Sequence, residues 1–241
     1  MRAGTLLLLA PVPALPDRLE AVLAGVGRCG VLVDVCADHG LVALAAVARG
    51  VADRAVAVEL RTAPLALASM NLARAGLADR VLLVRGDGLA PIARADAVVI
   101  GGVGGDLAAQ LLERAFGAGA PAERAFRARR VVVQPNRHSR EVRAWARGAG
   151  FHLLAERAVA EREQLHLVLA FEQRDGADPA YGARALAAEV ALGPLLLQSA
   201  DPASRLFLQR ELERLRAMPG RRPELDAARE ALETLFGATR T

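Results

Sequence analysis

Residues 31–40 read VLVDVCADHG and decide the fold class, because they have the layout of a strand followed by a tight loop. The next stretch, 41–50, reads LVALAAVARG and is typical of a helix. Nucleotide-binding folds place glycines in such a loop so that the backbone can approach a ligand closely. Here Cys36 stands where the first glycine is expected, and Asp38 and His39 lie in the turn. The loop is therefore either a damaged cofactor loop or a loop with a further chemical role.

Strand-like and helix-like runs alternate along the chain. Strands are predicted at 31–35, 55–59, 81–85, 96–100 and 130–134. Helices are predicted between them, near 41–49, 62–75, 105–116 and 138–148. Two more strands, predicted at 151–158 and 164–172, follow closely and would end the sheet as an antiparallel hairpin. Strands that are apolar throughout are typical of a parallel sheet covered on both faces, so the sequence predicts a doubly wound α/β fold with seven strands.

The chain divides into three parts by composition. Residues 1–16 are expected to be a disordered leader, and 17–173 to be the α/β domain. A polar stretch with glycine and proline covers 173–180, and beyond it only helical patterns remain, which predicts a helical domain over 180–238. Leucines at helical spacing mark an apolar face of this domain, namely Leu208, Leu212 and Leu215.

Composition excludes several classes of function. Hydrophobic residues make up 53% of the 241 residues, enough for a large core, but only 3% are aromatic, so stacking platforms for single-stranded nucleic acid are scarce. The absence of lysine excludes a phosphate-binding loop of the GxxxxGK[ST] type. The two cysteines lack metal-ligand spacing, and no apolar run approaches the roughly 20 residues of a membrane span, so we expect neither a metal nor a membrane partner. A net charge of +4 permits a polyanionic partner without requiring one.

Acidic residues follow the first three strands, at the edge where this type of fold binds its ligand. Asp34 ends the first strand and could accept hydrogen bonds from the loop or hold an ammonium group. Glu59 ends the second, where a carboxylate can accept hydrogen bonds from both hydroxyls of a ribose. Asp87 stands between Gly86 and Gly88, so that it can reach the amino group of an adenine without other side chains in the way.

The fourth and fifth strands end in two more motifs. Residues 101–105 read GGVGG and would leave a backbone wall against which a ligand can press. Residues 134–136 read QPN and could read the edge of a base. Each feature alone is often an ordinary cap or turn, but together they indicate one nucleoside ligand. A nicotinamide would require GxGxxG, from which 36–41 departs, so an adenosine without phosphates, as in S-adenosyl-L-methionine, fits better.

The motifs also resemble a known family. The stretches RLEAVLAGV, DVCADHG, AVEL, RGDGLAPI, VVIGGVGGDL, VVVQPNRHSREVRAWA and ALGPLLLQ occur in the order typical of the TrmK family. Its members are tRNA (adenine(22)-N1)-methyltransferases that use S-adenosyl-L-methionine. The resemblance runs from about residue 17 to 198. It implies a Rossmann-like class I methyltransferase domain and a C-terminal, coiled-coil-like helical domain.

The resemblance implies roles for individual residues. The cofactor-binding set would be Asp34, Cys36, Glu59, Leu60, Gly86, Asp87, Gly88, Gly102, Val103, Gly104 and Gly105. Cys36 replaces a glycine of the family's first loop, and Val103 replaces a methionine of its glycine wall. The stretch EQLHLVL at 163–169 lacks the family's lysine and tyrosine, so that Gln164, His166 and Leu167 depart from the pattern.

Catalysis and RNA binding are expected next to the cofactor. Adenine N1 carries a lone pair at neutral pH, so that the catalytic candidates, Asp38, Asn136 and His39, would position the base and stabilise its developing charge. The RNA-binding candidates, on and just before one helix, are Arg137, His138, Arg140, Arg143 and Arg147. We expect a cytoplasmic enzyme with tRNA as its partner, for which the sequence leaves the oligomeric state open and favours a monomer. Two alternatives remain: an RNA- and cofactor-binding homologue with weak or lost catalysis, or a methyltransferase acting on a small molecule or protein.

Overall fold

The computed structural model describes residues 14–117, 126–218 and 223–237. The predicted leader therefore lies outside the described residues, apart from its last three positions. In the described ranges, no helix is long and apolar enough to cross a membrane.

A sheet of seven strands forms the centre of the molecule. The strands are β1 (Cys29–Val35), β2 (Ala52–Glu59), β3 (Val81–Arg85), β4 (Ala97–Val103), β5 (Arg130–Pro135), β6 (Phe151–Glu161) and β7 (Gln164–Gln173). Their order across the sheet is β3-β2-β1-β4-β5-β7-β6. The first five strands are parallel, and β7 runs antiparallel between β5 and β6. The predicted parallel sheet with a closing hairpin is confirmed.

Five helices cover the two faces of the sheet. They are α1 (Asp17–Val26), α2 (Leu41–Ala48), α3 (Thr62–Ala75), α4 (Gly105–Phe116) and α5 (Ser139–Gly148). The first three pack into one apolar cluster, and α4 and α5 into a second on the opposite face. The strands are wholly apolar at their centres because both faces are buried, as in Val98, Val99 and Ile100 of β4, all 0% exposed.

Four more helices follow the hairpin. They are α6 (Leu186–Leu192), α7 (Pro194–Gln198), α8 (Pro202–Ala217) and α9 (Pro223–Gly237). The predicted apolar face is confirmed, since Leu208, Leu212 and Leu215 are buried in the same cluster as α4 and α5. Helices α6 and α7 are separated by Gly193, which has φ +103°, and Pro194 begins the second of them. The domain boundary at 173–180 stays a prediction.

The fourth strand is longer than the predicted range of 96–100 and includes part of the glycine-rich stretch. Strand β4 extends through Val103, so that Gly101 and Gly102 belong to the strand, at a point where its register against β5 shifts. Helix α4 begins at Gly105, whose amide donates to the carbonyl of Arg137 at 2.8 Å. A Cβ on Gly105 would collide with the backbone of Arg137 and His138. Glycine at 105 therefore lets the start of α4 contact the loop between β5 and α5.

Candidate active site

The five parallel strands bring the predicted motifs to one edge of the sheet, at their carboxyl ends. The loop after β1 folds onto the end of β2, because the amide of Ala37 donates to the carbonyl of Val58 at 3.1 Å. Cys36 and Asp38 both have positive φ, at 57° and 49°, in the left-handed region that favours glycine. The glycine that Cys36 replaces would adopt this conformation without strain.

Glu59 is the best-connected acid at this edge. Its side chain is buried, and its Oε2 atom accepts a hydrogen bond from the amide of Asp38 at 3.0 Å. Its Oε1 atom accepts from the amide and the Nε atom of Arg61, at 2.9 and 3.1 Å. Burial raises the pKa of Glu59, but the hydrogen bonds from Arg61 and Asp38 outweigh burial and leave it below its ordinary value. Glu59 is therefore ionised at neutral pH and faces the edge as a hydrogen-bond acceptor.

Arg61 also connects Glu59 to the catalytic candidates. Its Nη2 atom lies 3.5 Å from Asp38 Oδ1, while His39 Nε2 lies 3.5 Å from Asp38 Oδ2. Asp38 and Arg61 are exposed, with 53% and 69% of their side-chain surface accessible. Among the described residues, the inaccessible Nδ1 atom of His39 has no hydrogen-bond partner. A shallow opening at this edge is lined by these three residues together with Leu60 and Arg85.

Asp34 lies below the loop rather than in the opening. It is 3% exposed, and its Oδ2 atom accepts a hydrogen bond from the amide of Ala43 in α2 at 3.2 Å. Burial raises the pKa of Asp34 to about 7, and the neighbouring charge of Glu59 acts in the same direction. Asp34 is thus placed to support the loop from below.

Asp87 is exposed and lies in the loop that follows β3. Its carboxylate binds the guanidinium of Arg114 in α4, with Nη1–Oδ2 at 2.9 Å and Nη2–Oδ1 at 3.4 Å. Gly88 has φ +59°, and a Cβ there would lie 2.5 Å from Leu111 of α4. Leu60, which directly follows β2, is 57% exposed although apolar.

The backbone at Gly101 and Gly102 is unobstructed, and side chains at the end of β5 bind Gly102. A Cβ added at Gly101 or Gly102 would meet nothing within 4 Å, so that a ligand can approach the backbone there. Gln134 Oε1 accepts from the amide of Gly102 at 3.1 Å, and Asn136 Nδ2 donates to the carbonyl of Gly102 at 2.7 Å. Gln134 Nε2 in turn donates to Asn136 Oδ1 at 3.2 Å. The QPN motif therefore fixes the wall to the end of β5.

His138 joins this loop to α4. It adopts φ +56°, and its Nδ1 atom forms a short hydrogen bond with Oδ2 of Asp106 in the first turn of α4. The bond to His138 lowers the pKa of Asp106. Both side chains are about half exposed, so that His138 remains accessible as an RNA-binding candidate.

One prediction about α5 is wrong. Arg143 is one of the RNA-binding candidates, but its side chain is 0% exposed and pairs with Glu156 of β6, so that it is not free to contact RNA. The C-terminal helices return over this part of α5 and cover it, since the guanidinium donates to carbonyls of Val190, Ala191 and Leu192. The other three arginines of the set, Arg137, Arg140 and Arg147, are exposed as predicted.

A groove of about 620 Å³ lies beside Asn136, between the start of α5 and the helix α8. We call it the α5–α8 groove. Its α5 side includes Arg137, His138 and Arg140, and its α8 side includes Phe207, Arg210 and Arg214. Leu165 and Leu167 of β7 also line it, which places the stretch that departs from the family pattern at the groove.

Sequence reasoning missed the charged partners of Glu59, Asp87 and Arg143. Arg61 could have been found, because it follows Glu59 by two positions. Arg114 lies 27 residues after Asp87, and Glu156 lies 13 residues after Arg143. No local pattern connects these residues, so that only the fold reveals the pairs.

Comparisons with known proteins identify the family. A model described as a methyltransferase domain matches residues 15–169. The tRNA (adenine(22)-N(1))-methyltransferase of Bacillus subtilis is 30% identical over 203 residues, which cover 83% of this chain and 81% of that protein. The chain belongs to the tRNA (adenine(22)-N(1))-methyltransferase family. The TrmK resemblance noted in the sequence is thereby confirmed.

Solved structures agree with the TrmK family assignment. The crystal structure of the Bacillus subtilis enzyme has a TM-score of 0.76 at 26% identity and covers 92% of this chain and 99% of that one. A Streptococcus pneumoniae protein, a candidate tRNA (m1A22) methyltransferase solved in complex with S-adenosyl-L-methionine, has a TM-score of 0.78 at 27% identity. It covers 92% of this chain and 100% of its own. The predicted Rossmann-like methyltransferase fold with C-terminal helices is confirmed.

Proposed function

We propose that the protein transfers a methyl group from S-adenosyl-L-methionine to N1 of an adenine in tRNA, at position 22 as in its family. The observation that carries the proposal is the junction at Asn136. On one side stand the buried acid Glu59 and the open glycine wall, and on the other the α5–α8 groove with its exposed arginines.

The residues of the edge fit the cofactor. Glu59 would accept hydrogen bonds from the ribose hydroxyls, in exchange for the side chain of Arg61. Asp87 would accept from the adenine amino group, Leu60 would cover the ring, and Gly101 and Gly102 leave room for it. When bound, S-adenosyl-L-methionine supplies an electrophilic methyl group on a positively charged sulfur.

Asp38 and Asn136 would act on the target base. The N1 lone pair needs no strong base to free it, so that the protein contributes mainly by positioning. The exposed carboxylate of Asp38 would stabilise the positive charge that develops on the ring, and His39 orients that carboxylate. Among the described residues, Asn136 uses one Nδ2 hydrogen and one Oδ1 lone pair, which leaves one of each for the Watson–Crick edge of the base.

The arginines of the groove would bind the RNA backbone. Arg137 and Arg140 line the groove and are exposed, as is Arg147 further along α5, and His138 lies between Asn136 and α5. Contacts of this kind are electrostatic and weaken as salt rises. The target base must leave its stack to reach Asn136, as in other enzymes that act on a base. We place the reaction in the cytoplasm.

Nucleoside analysis tests the proposal. Purified protein is incubated with labelled S-adenosyl-L-methionine and unmodified tRNA, which is then digested to nucleosides. We expect labelled N1-methyladenosine, and a fall in kcat of about 10²- to 10³-fold in Asp38→Ala. Asp53→Ala is the matched control, because Asp53 is an exposed acid at the opposite end of β2.

Two outcomes would overturn the proposed activity, and a third would change only its mechanism. Tight cofactor binding without labelled RNA would indicate a binding protein that has lost catalysis. Label found only in small molecules or in protein would indicate another substrate. Full activity in Asp38→Ala would remove Asp38 from the mechanism.

A further inference from the structure

The pair formed by Arg143 and Glu156 is buried more completely than the other ion pairs of the described residues. Both side chains are 0% exposed, and Arg143 Nε lies 2.5 Å from Glu156 Oε1. Burying two charges is costly unless further hydrogen bonds satisfy the remaining donors and acceptors. The partners of this pair therefore show what it holds in place.

Arg143 binds the end of α6 and its own helix. Its Nη1 atom donates to the carbonyls of Val190 and Ala191, at 3.1 and 3.2 Å, and to the hydroxyl of Ser139 at 3.2 Å. Its Nη2 atom donates to the carbonyl of Leu192 at 3.3 Å. The last carbonyls of a helix have no partner within it, so that Arg143 takes the place of a cap.

Glu156 binds the start of α7. Its Oε2 atom accepts from the amides of Leu195 and Leu196, at 3.0 and 3.3 Å. Gly193 lies between the two helices with φ +103°, and a Cβ there would lie 2.5 Å from Glu156 Oε2 and 2.8 Å from Arg143 Nη2. Any side chain at 193 would thus displace the pair. The turn from α6 to α7 is closed around the two charges.

The position of this network links it to the α5–α8 groove. Ser139 is the first residue of α5 and follows the loop that carries Asn136 and His138. On the other side, α7 leads through three residues into α8, whose Phe207, Arg210 and Arg214 line the groove. The ion pair therefore holds the turn between α6 and α7 against α5, and α8 follows this turn three residues after α7 ends.

We propose that Arg143 and Glu156 are positioning residues for the RNA substrate, which they serve by fixing α8 against the start of α5. The proposal rests on the proposed function, since it takes the α5–α8 groove as the RNA site. Neither residue reaches the groove itself. Their role is to keep the arginines of α8 where they can contact the RNA backbone, so that loss of either residue weakens tRNA binding rather than the chemical step.

Steady-state kinetics and hydrogen exchange of the full-length chain test the proposal together. The variants are Arg143→Met, Glu156→Gln and Arg143→Lys, all measured well below their melting temperatures. In Arg143→Met and Glu156→Gln we expect KM for tRNA to rise about tenfold or more, with kcat and the cofactor Kd within about twofold of wild type. Arg143→Lys keeps the charge and should recover part of the loss. Amide exchange should rise in 186–217 and stay unchanged in β1 and β4.

Arg130→Met is the matched control. Arg130 forms a partly buried pair with Glu172, 2.9 Å apart, at the start of β5 and so at the opposite edge of the sheet. We expect it to lower the melting temperature without changing KM for tRNA. Glu156→Gln, which keeps the shape of the side chain, decides the question if Arg143→Met does not fold.

Failure of this proposal can be told apart from failure of the proposed function. If the wild-type protein makes no N1-methyladenosine, the proposed function is overturned. The hydrogen-exchange data then still test whether Arg143 and Glu156 hold α6, α7 and α8 in place. Unchanged KM for tRNA in folded Glu156→Gln, or an equal rise in Arg130→Met, would overturn the positioning role. So would a rise in exchange spread evenly over the whole sheet.

Discussion

Two regions of the molecule pair acids with arginines, but in opposite ways. At the ends of β2 and β3, Glu59 and Asp87 bind arginines whose side chains are 69% and 58% exposed. Between α5 and β6, Arg143 and Glu156 are 0% exposed. An exposed arginine can leave its partner at little cost, so that the first region can exchange its cations for a ligand. A buried pair cannot be broken cheaply, so that the second region holds structure.

Stability measurements test this contrast most strongly. Arg143→Met leaves Glu156 buried without a counter-charge, and we expect the free energy of unfolding to fall by about 3–5 kcal/mol. Arg140→Met on the same helix removes an exposed pair with Glu141, and we expect a change below about 1 kcal/mol. Urea titrations of both variants measure the difference. Equal losses would mean that burial does not distinguish the two arginines.

Asp34 predicts a pH dependence of stability. Its pKa of about 7 in the folded protein lies above the ordinary value of 3.8, so that the folded state holds a proton that the unfolded chain has lost. The free energy of unfolding therefore falls as pH rises through this window. Asp34→Asn should be more stable than wild type at pH 8 and lose that advantage towards pH 4. Thermal melts of both proteins at pH 4 and pH 8 test this prediction. A difference in melting temperature that is the same at both pH values would contradict the raised pKa of Asp34.

Cofactor affinity tests the exchange of partners at Glu59. Glu59→Gln removes the charge that the ribose hydroxyls would bind, and we expect the Kd for S-adenosyl-L-methionine to rise about tenfold or more. Arg61→Ala removes a competitor for the same carboxylate, so that the Kd should stay equal or fall. Isothermal titration calorimetry measures both. A Kd that rises as much in Arg61→Ala would show that Arg61 helps to hold the cofactor instead.

The smallest effect is expected at Cys36. A residue other than glycine with φ near 57° is strained by about 1 kcal/mol or more, so that Cys36→Gly should relieve strain. Ala37→Gly is the matched control, because Ala37 is not among the residues with positive φ. Glycine at the control position adds only the entropic cost. We expect Cys36→Gly to be more stable than Ala37→Gly by about 1–2 kcal/mol in urea titrations. The reverse order would show that packing of the thiol outweighs the backbone strain.

The same contrast separates what the sequence could predict from what it could not. The seven strands and the acids Glu59 and Asp87 follow from local patterns, because each motif stands directly after its own strand. Arg143 has the helical spacing of the exposed arginines around it, and nothing nearby distinguishes it. Its burial depends on carbonyls 47 to 49 residues further along the chain. Local periodicity assigns a face to a helix, but it does not show which later segment will cover that face.

One pair of tRNA transcripts tests the central claim most directly. The two are identical except that one has adenine and the other guanine at position 22, and each is incubated with the wild-type protein and S-adenosyl-L-methionine. We predict that N1-methyladenosine forms in the first, approaching one per tRNA, and not in the second. Equal amounts in both transcripts would contradict the site of methylation, and none in either would contradict the proposed activity.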